Sequence, residues 1–156
     1  MSNYLFFYSD SAPNGYLSNF AKYEFIEYDQ TFHSVEQYMH FNKAILMEDE
    51  DTAEKILNAK TPYATKKFGR QVKNFNQEVW NLNKKQVVKQ GIVLKFQQNP
   101  IIKKCLLETK PKLLIEAAKN DRIWGIGFDS SEAMKNIDHW GANLLGNILT
   151  EVRDSF

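Results

Sequence analysis

The longest helical pattern in the chain sets what the rest must do. From Asn76, with Glu78 in the turn it opens, apolar residues recur at helical spacing as far as Asn99, where Pro100 stops the helix. Trp80, Val87, Gly91 and Leu94 fall on one line, and Val88, Ile92 and Phe96 on another. Apolar lines in two directions mean burial on more than one side, so the spacing predicts a central core helix with other elements packed around it. Gly91 costs ~1 kcal/mol relative to alanine inside a helix, which predicts a close neighbour there.

The other elements follow from their punctuation. Ser34 and Gln37 form a capping box, with Ser34 bonding the Gln37 amide and Gln37 reaching back to the Ser34 amide, so a helix starts at Val35. Its apolar stripe runs Val35, Tyr38, Met39, Ile45, Leu46, and it ends in the acidic run Glu48 to Asp51, which favours the start of a second helix reaching Ala59. That run reads as a solvated helix junction, not a metal site. Thr61-Pro62 opens a third helix to Gly69-Arg70, and Ile101 to Glu108 reads as a short one. Lys112 to Ala117 fits a strand or a last helical turn, and Gly141 to Arg153 a closing helix. Ahead of them, Tyr4 to Tyr8 and the alternating Tyr23 to Tyr28 read as strands, with Asp29-Gln30 turning the second into a partner at Thr31 to His33. Strands clustered at one end, without alternation with helices, give an α+β class that is predominantly helical, a single domain over 1–156 with a small antiparallel sheet near the N-terminus.

Charge and cysteine content narrow the setting. Twenty basic and nineteen acidic residues leave a net charge of +1, so no global field draws nucleic acid or a membrane, and any anion must be bound locally. The single Cys105 excludes an internal disulfide and fits a reducing compartment, and no Cys/His cluster suggests a metal. The first residues lack the basic and apolar regions of a signal peptide, and no apolar stretch is long enough to span a bilayer. A cytoplasmic protein without cofactor, metal, membrane contact or obligate protein partner is expected.

On the first helix, Glu36 and Lys43 lie ~20° apart around the axis, a carboxylate and an amine aimed the same way with backbones ~10 Å apart. That distance is too long for a direct pair and suits gripping one small substrate from two sides. Equally, Glu36 favours the positive helix end and Lys43 is solvated. His40, about 40° from Glu36, is the alternative proton donor.

The ordered set YLSNF (16–20), SVEQY (34–38), FGR (68–70), Trp80, LKFQQNP (94–100), NDRIWGIG (120–127) and WGANLLG (140–146) resembles the NADAR, or YbiA-like, family over nearly the whole chain. No single piece is specific; the combination is. The resemblance implies an N-glycosidase acting on a ribose phosphate or ADP-ribose joined to a base, since members hydrolyse early riboflavin-pathway intermediates or remove ADP-ribose from guanine. Its substrates would be such conjugates, free or carried on DNA or RNA. The resemblance puts the family's essential glutamate on Glu36, its helix lysine on Lys43, and its aromatic, glycine-rich loop on Trp124-Gly125-Ile126-Gly127.

Cleaving a bond from C1 of a sugar to nitrogen leaves cationic character on the sugar and excess charge on the base, which calls for a carboxylate near the sugar and a proton source near the base. Glu36 either activates water or holds the ribose hydroxyls. Lys43 offers a covalent route through a Schiff base, provided burial lowers its pKa. Arg70 either grips a phosphate bidentately or complements a helix C-terminus. Trp80 and Trp124 either sandwich the base or anchor the core, with Trp80 the more core-like. Trp124 stands between Asp121 and Gly125, where the backbone is free to approach a ligand. Asn19, beside Phe20, and Asn143 bond sugar or base edges, or cap turns.

Overall fold

The structure is a computed structural model that describes residues 2–11 and 13–156. Two compact units are distinguished, residues 19–99 and residues 1–18 with 100–156.

In the 19–99 unit, strands β2 (Phe25–Glu27) and β3 (Gln30–Phe32) form the antiparallel hairpin expected before the first helix. Its loop is Tyr28-Asp29, one residue earlier than the spacing suggests, with φ of 50° and 66°. Both loop residues take the left-handed conformation that a two-residue hairpin turn requires. Helices α1 (Val35–Leu46), α2 (Glu50–Asn58), α3 (Pro62–Gly69) and α4 (Gln77–Gln97) follow, capped by the side chains of Ser34, Asp49, Thr61 and Asn76. Helix α1 packs against α2, α3 and α4. The predicted close neighbour of Gly91 is Tyr38: a Cβ at position 91 would lie 2.8 Å from its Cδ1. Tyr38 also packs edge-on against Phe25 and Phe32 and donates its hydroxyl to Glu27 at 3.0 Å, so one side chain joins α1, α4 and the hairpin. Gln98 extends the edge of β2, accepting from the Ile26 amide at 2.8 Å and donating to the Ile26 carbonyl at 2.9 Å.

In the other unit, β1 (Tyr4–Phe7) pairs in parallel with β4 (Leu113–Glu116), in the register Tyr4 to Leu113 through Phe7 to Glu116. The segment left open between strand and helical turn is therefore a strand. Helix α5 (Pro100–Glu108), the short α6 (Ser130–Ala133) and α7 (Leu144–Ser155) complete the unit, with Leu145, Ile148, Leu149 and Val152 of α7 buried. Tyr4, Phe6, Phe128 and Trp140 pack around Ile115, Ile126 and Ala133. Helix α7 begins at Leu144, later than the expected Gly141, because Asn143 sits at φ 50° and the amides of residues 141–145 are bonded to carbonyls of the loop 122–126. No helix among the described residues is long and apolar enough to cross a membrane.

Candidate active site

The start of α1 is enclosed on all sides. Every residue from Ser34 to His40 is buried, charged and polar ones included, whereas Ile45 of the expected apolar stripe is 45% exposed. Ser34 caps the helix through the Gln37 amide, at 3.1 Å. The return arm of the capping box differs from expectation: Gln37 Oε1 accepts from the His33 amide at 2.8 Å, and its Nε2 donates to the Ile56 and Leu57 carbonyls. The Ser34 hydroxyl is shared with His33 Nδ1 at 2.9 Å, while His33 Nε2 reaches the Ala59 carbonyl at 3.0 Å. Helix α1 is thus locked at its first turn to the end of α2, which fixes where Glu36 points.

Glu36 is 5% exposed, and its amide donates to the Asn19 carbonyl at 3.0 Å. One carboxylate oxygen, Oε1, lies 2.8 Å from His40 Nε2 one turn on. Lys43, half-buried on the same face, feels both Glu36 and Arg70. Burial, the larger influence, holds its pKa below the ordinary lysine value; Glu36 raises it and Arg70 lowers it further. A desolvated amine with a lowered pKa spends more time as the uncharged nucleophile. Its ammonium also stands 5.5 Å from the centre of the Phe75 ring, which is 42% exposed in the loop before α4.

From α3, Lys66 lies over the ring of Phe20 at 5.6 Å, and Arg70 follows the helix, exposed. Lys66 and Arg70 are four residues apart on a helical path, a spacing that puts two cations on one side. Three buried polar atoms among the described residues have no hydrogen-bond partner, Asn19 Oδ1, His40 Nδ1 and Thr65 Oγ1, and all three belong to this unit. Buried polar groups are ordinarily satisfied, so each of these is a standing cost. Glu36, Lys43, Arg70, Asn19 and Phe20, named from sequence, therefore share one unit with His40, Lys66 and Phe75. Sequence spacing could have found Lys66 from its offset to Arg70. It could not find Phe75, a loop aromatic with no periodicity. Trp80 is 8% exposed in the interior of α4, a core position.

The remaining expected residues lie in the other unit. Asp121 Oδ1 accepts from the amides of Ile123 and Trp124 at 2.9 and 2.8 Å, which shapes the loop and leaves Trp124 half-buried. Gly125 is needed for close approach, but to strand β4: a Cβ there would lie 2.8 Å from the Glu116 carbonyl oxygen. Asn143 has both ends of its amide engaged, accepting from the Glu116 amide at 2.9 Å and donating to the Leu114 carbonyl at 3.0 Å.

The acidic run is spent locally. Asp49 caps α2 through the Thr52 amide and also accepts from the Lys73 amide at 2.8 Å; bonds to these two residues, Lys73 foremost, pull its carboxyl down to about 2. An open groove of about 720 Å³ runs along α2 and the end of α3, lined by Asp51, Lys55, Phe68, Gln71 and Lys73 among others. None of the paired groups of α1 lines it, and its side chains offer no reactive set.

Comparisons with known proteins bear on the family and the fold. The NADAR domain matches residues 6–156. The chain is 41% identical over 142 residues to N-glycosidase R617 of Acanthamoeba polyphaga mimivirus, covering 87% of this chain and 81% of that protein. It is 30% identical over 148 residues to N-glycosidase YbiA of Escherichia coli, covering 95% and 85% respectively. The NMR structure of E. coli YbiA superposes with a TM-score of 0.81 at 30% identity, covering 97% of this chain and 83% of that one.

Proposed function

The chain belongs to the NADAR family, and from that premise we propose that it is an N-glycosidase that cleaves the bond between a ribose carrying phosphate, in particular ADP-ribose, and a nucleobase. The base we favour is guanine, with the sugar on an exocyclic amine, either as a free conjugate or on nucleic acid. The observation that carries the reading is the face of α1, where a buried Glu36 carboxylate and a desolvated Lys43 amine share one side of the helix and Arg70 acts on the same amine. The names of the relatives R617 and YbiA support the same bond class.

The chemistry follows from these groups. The N-linked ribose opens, its ring oxygen taking a proton and C1 forming an imine with the base nitrogen. Uncharged Lys43 adds to C1, and the base departs from C1 after its nitrogen takes a proton. The Lys43–C1 Schiff base that remains is hydrolysed by water, which returns the amine and releases the free sugar. Glu36 serves these steps by accepting and returning protons at the ribose hydroxyls and the attacking water. Arg70, with its planar fork of donors, is our candidate for the phosphates. Asn19 and Phe20 are our candidates for the sugar, and the half-buried Trp124 ring, in the loop of Asp121 and Gly125, is of a kind that stacks on a base. We assign Trp80 and Asn143 to holding the fold. We read residues 1–156 as one catalytic domain, and the single cysteine leads us to the cytoplasm as its compartment.

The test is release of ADP-ribose from an ADP-ribosylated guanine nucleoside and from DNA bearing the same group, with a ribosylaminopyrimidine phosphate assayed in parallel. Turnover by wild type, strongly reduced in Glu36→Gln and lost in Lys43→Ala, is expected. Binding without release from any of the three would overturn the enzyme reading in favour of a binding module. Borohydride added during turnover should attach the sugar to Lys43. Turnover without an adduct would shift the route to direct attack by water activated by Glu36.

A further inference from the structure

We propose that His40 is a positioning residue: it holds one oxygen of Glu36 from a single, fixed tautomer, in a seat against α3 that Gly69 leaves open for the ring. The inference rests on the reading of Glu36 as the carboxylate of the reaction.

His40 Nε2 and Glu36 Oε1 are 2.8 Å apart, with both side chains almost wholly excluded from water. A carboxylate oxygen accepts, so the proton of this bond sits on Nε2. The other ring nitrogen, Nδ1, is buried and has no partner. The ring itself rests against α3 at Gly69, where an added Cβ would come within 2.0 Å of Nδ1 and 2.6 Å of each neighbouring ring carbon. A proton on Nδ1 would be a buried donor with no acceptor, which is costly, whereas a bare lone pair in the same place costs less. The Glu36 carboxylate at one nitrogen and the lack of an acceptor at the other thus select the tautomer with hydrogen on Nε2.

Two consequences follow for the reaction. His40 has no spare proton to give a departing base, which removes it as the alternative proton donor. Glu36, held at Oε1, presents Oε2 to the substrate in one orientation, so that its place on the face of α1 is set by a hydrogen bond as well as by the helix. Gly69 belongs to the FGR segment beside Arg70, and its role here is to let the imidazole lie flat against α3.

The experiment combines a tautomer measurement with kinetics. In protein labelled with ¹⁵N-histidine, whose three histidines are separated by the loss of one signal in His40→Gln, the His40 ring should show hydrogen on Nε2 and none on Nδ1. Hydrogen on Nδ1 overturns the proposal whether or not any substrate is turned over, and failure of turnover with this tautomer present overturns the proposed function instead. In the kinetic arm, His40→Leu should lower kcat ~10–100-fold with KM changed little, the usual scale for removing a group that orients a reacting one. His40→Gln can still donate to Glu36 and should recover to within roughly fivefold of wild type. In a Glu36→Gln background, His40→Leu should cost nothing further, since residues acting as one unit are not additive. If His40→Gln is as inactive as His40→Leu at an unchanged melting temperature, or if His40→Leu costs as much again in the Glu36→Gln background, His40 is a proton donor in its own right and the proposal fails. Gly69→Ala, which pushes the ring from its seat, should reproduce the kcat loss of His40→Leu, and wild-type kcat in that variant counts against that seat.

Discussion

Asn19 and Asn143 are both buried, 7% and 5% exposed, and each meets the first turn of a helix, yet their amides are used in opposite ways. The Asn143 side chain bridges β4 from both ends, to the Glu116 amide and the Leu114 carbonyl, from a left-handed backbone that starts α7. Asn19 gives only its backbone carbonyl, to the Glu36 amide, and leaves its side-chain oxygen buried without a donor. The contrast extends to the surroundings. In the unit of Asn143, buried Arg153 is satisfied by Thr109, the Lys112 carbonyl and Asp154, and Asp121 by two loop amides. In the unit of Asn19, His40 and Thr65 also carry unpartnered atoms. A satisfied buried polar group stabilises a fold; an unsatisfied one is a standing cost that persists where a ligand supplies the partner. On the proposed function, Asn143 holds the fold together, whereas the open side-chain oxygen of Asn19 is left for substrate.

The contrast is open to direct attack. The largest effect is expected from Glu36→Gln, which should lower kcat ~10²–10⁴-fold while leaving the chemical-denaturation midpoint close to wild type. A loss of stability in proportion to the loss of rate would make Glu36 a structural residue. Next, Asn143→Ala strands a buried amide and a buried carbonyl and should cost about 2–5 kcal/mol in denaturant unfolding, with kcat per folded molecule retained. Asn19→Ala should behave in the reverse sense, raising KM ~10-fold while stability shifts by less than about 0.5 kcal/mol, because no side-chain bond is lost. If the two asparagine variants behave alike, the distinction between the regions fails.

A further effect concerns pH. Lys95, buried in α4, has its pKa pushed down to about 7 by burial, from an ordinary value of 10.5. Between those values the unfolded chain binds a proton that the folded chain lacks, so this lysine makes stability rise with pH across that window, and below about 7 its cost is fully present. Denaturant unfolding at several pH values from about 7 to 10 should show the slope in wild type and a flatter profile in Lys95→Met. Rates should respond separately. Uncharged Lys43 should give an alkaline rise in kcat that levels off at a pKa below 10.5.

Most helix starts were legible because caps are local. Ser34, Thr61 and Asn76 act on amides within three residues, and each caps the helix that its spacing marks. The central helix was legible from its two apolar lines, and the Gly91 contact from the cost of glycine in a helix. Where the expectation slipped, a longer-range partner had intervened. The return arm of Gln37 moved to the His33 amide while its other end bonded the close of α2, and the start of α7 was delayed by a loop that took its first amides. The site divides in the same way. The shared face of Glu36 and Lys43 follows from helical periodicity alone. That Lys43 is desolvated, that Phe75 stands beside it and that Asn143 is fully engaged are products of packing between segments far apart in the chain.

The sequence by itself therefore determined the caps, the helical class, the face that carries Glu36 and Lys43, and the resemblance that names the family. These depend on spacing within one element, where geometry is set by 3.6 residues per turn. Only the tertiary structure decided that β1 pairs with β4, that the His40 ring rests on Gly69, and which buried amides are spent and which are left open. Those depend on which segments meet, and burial gives a hydrogen bond its weight only after they have met.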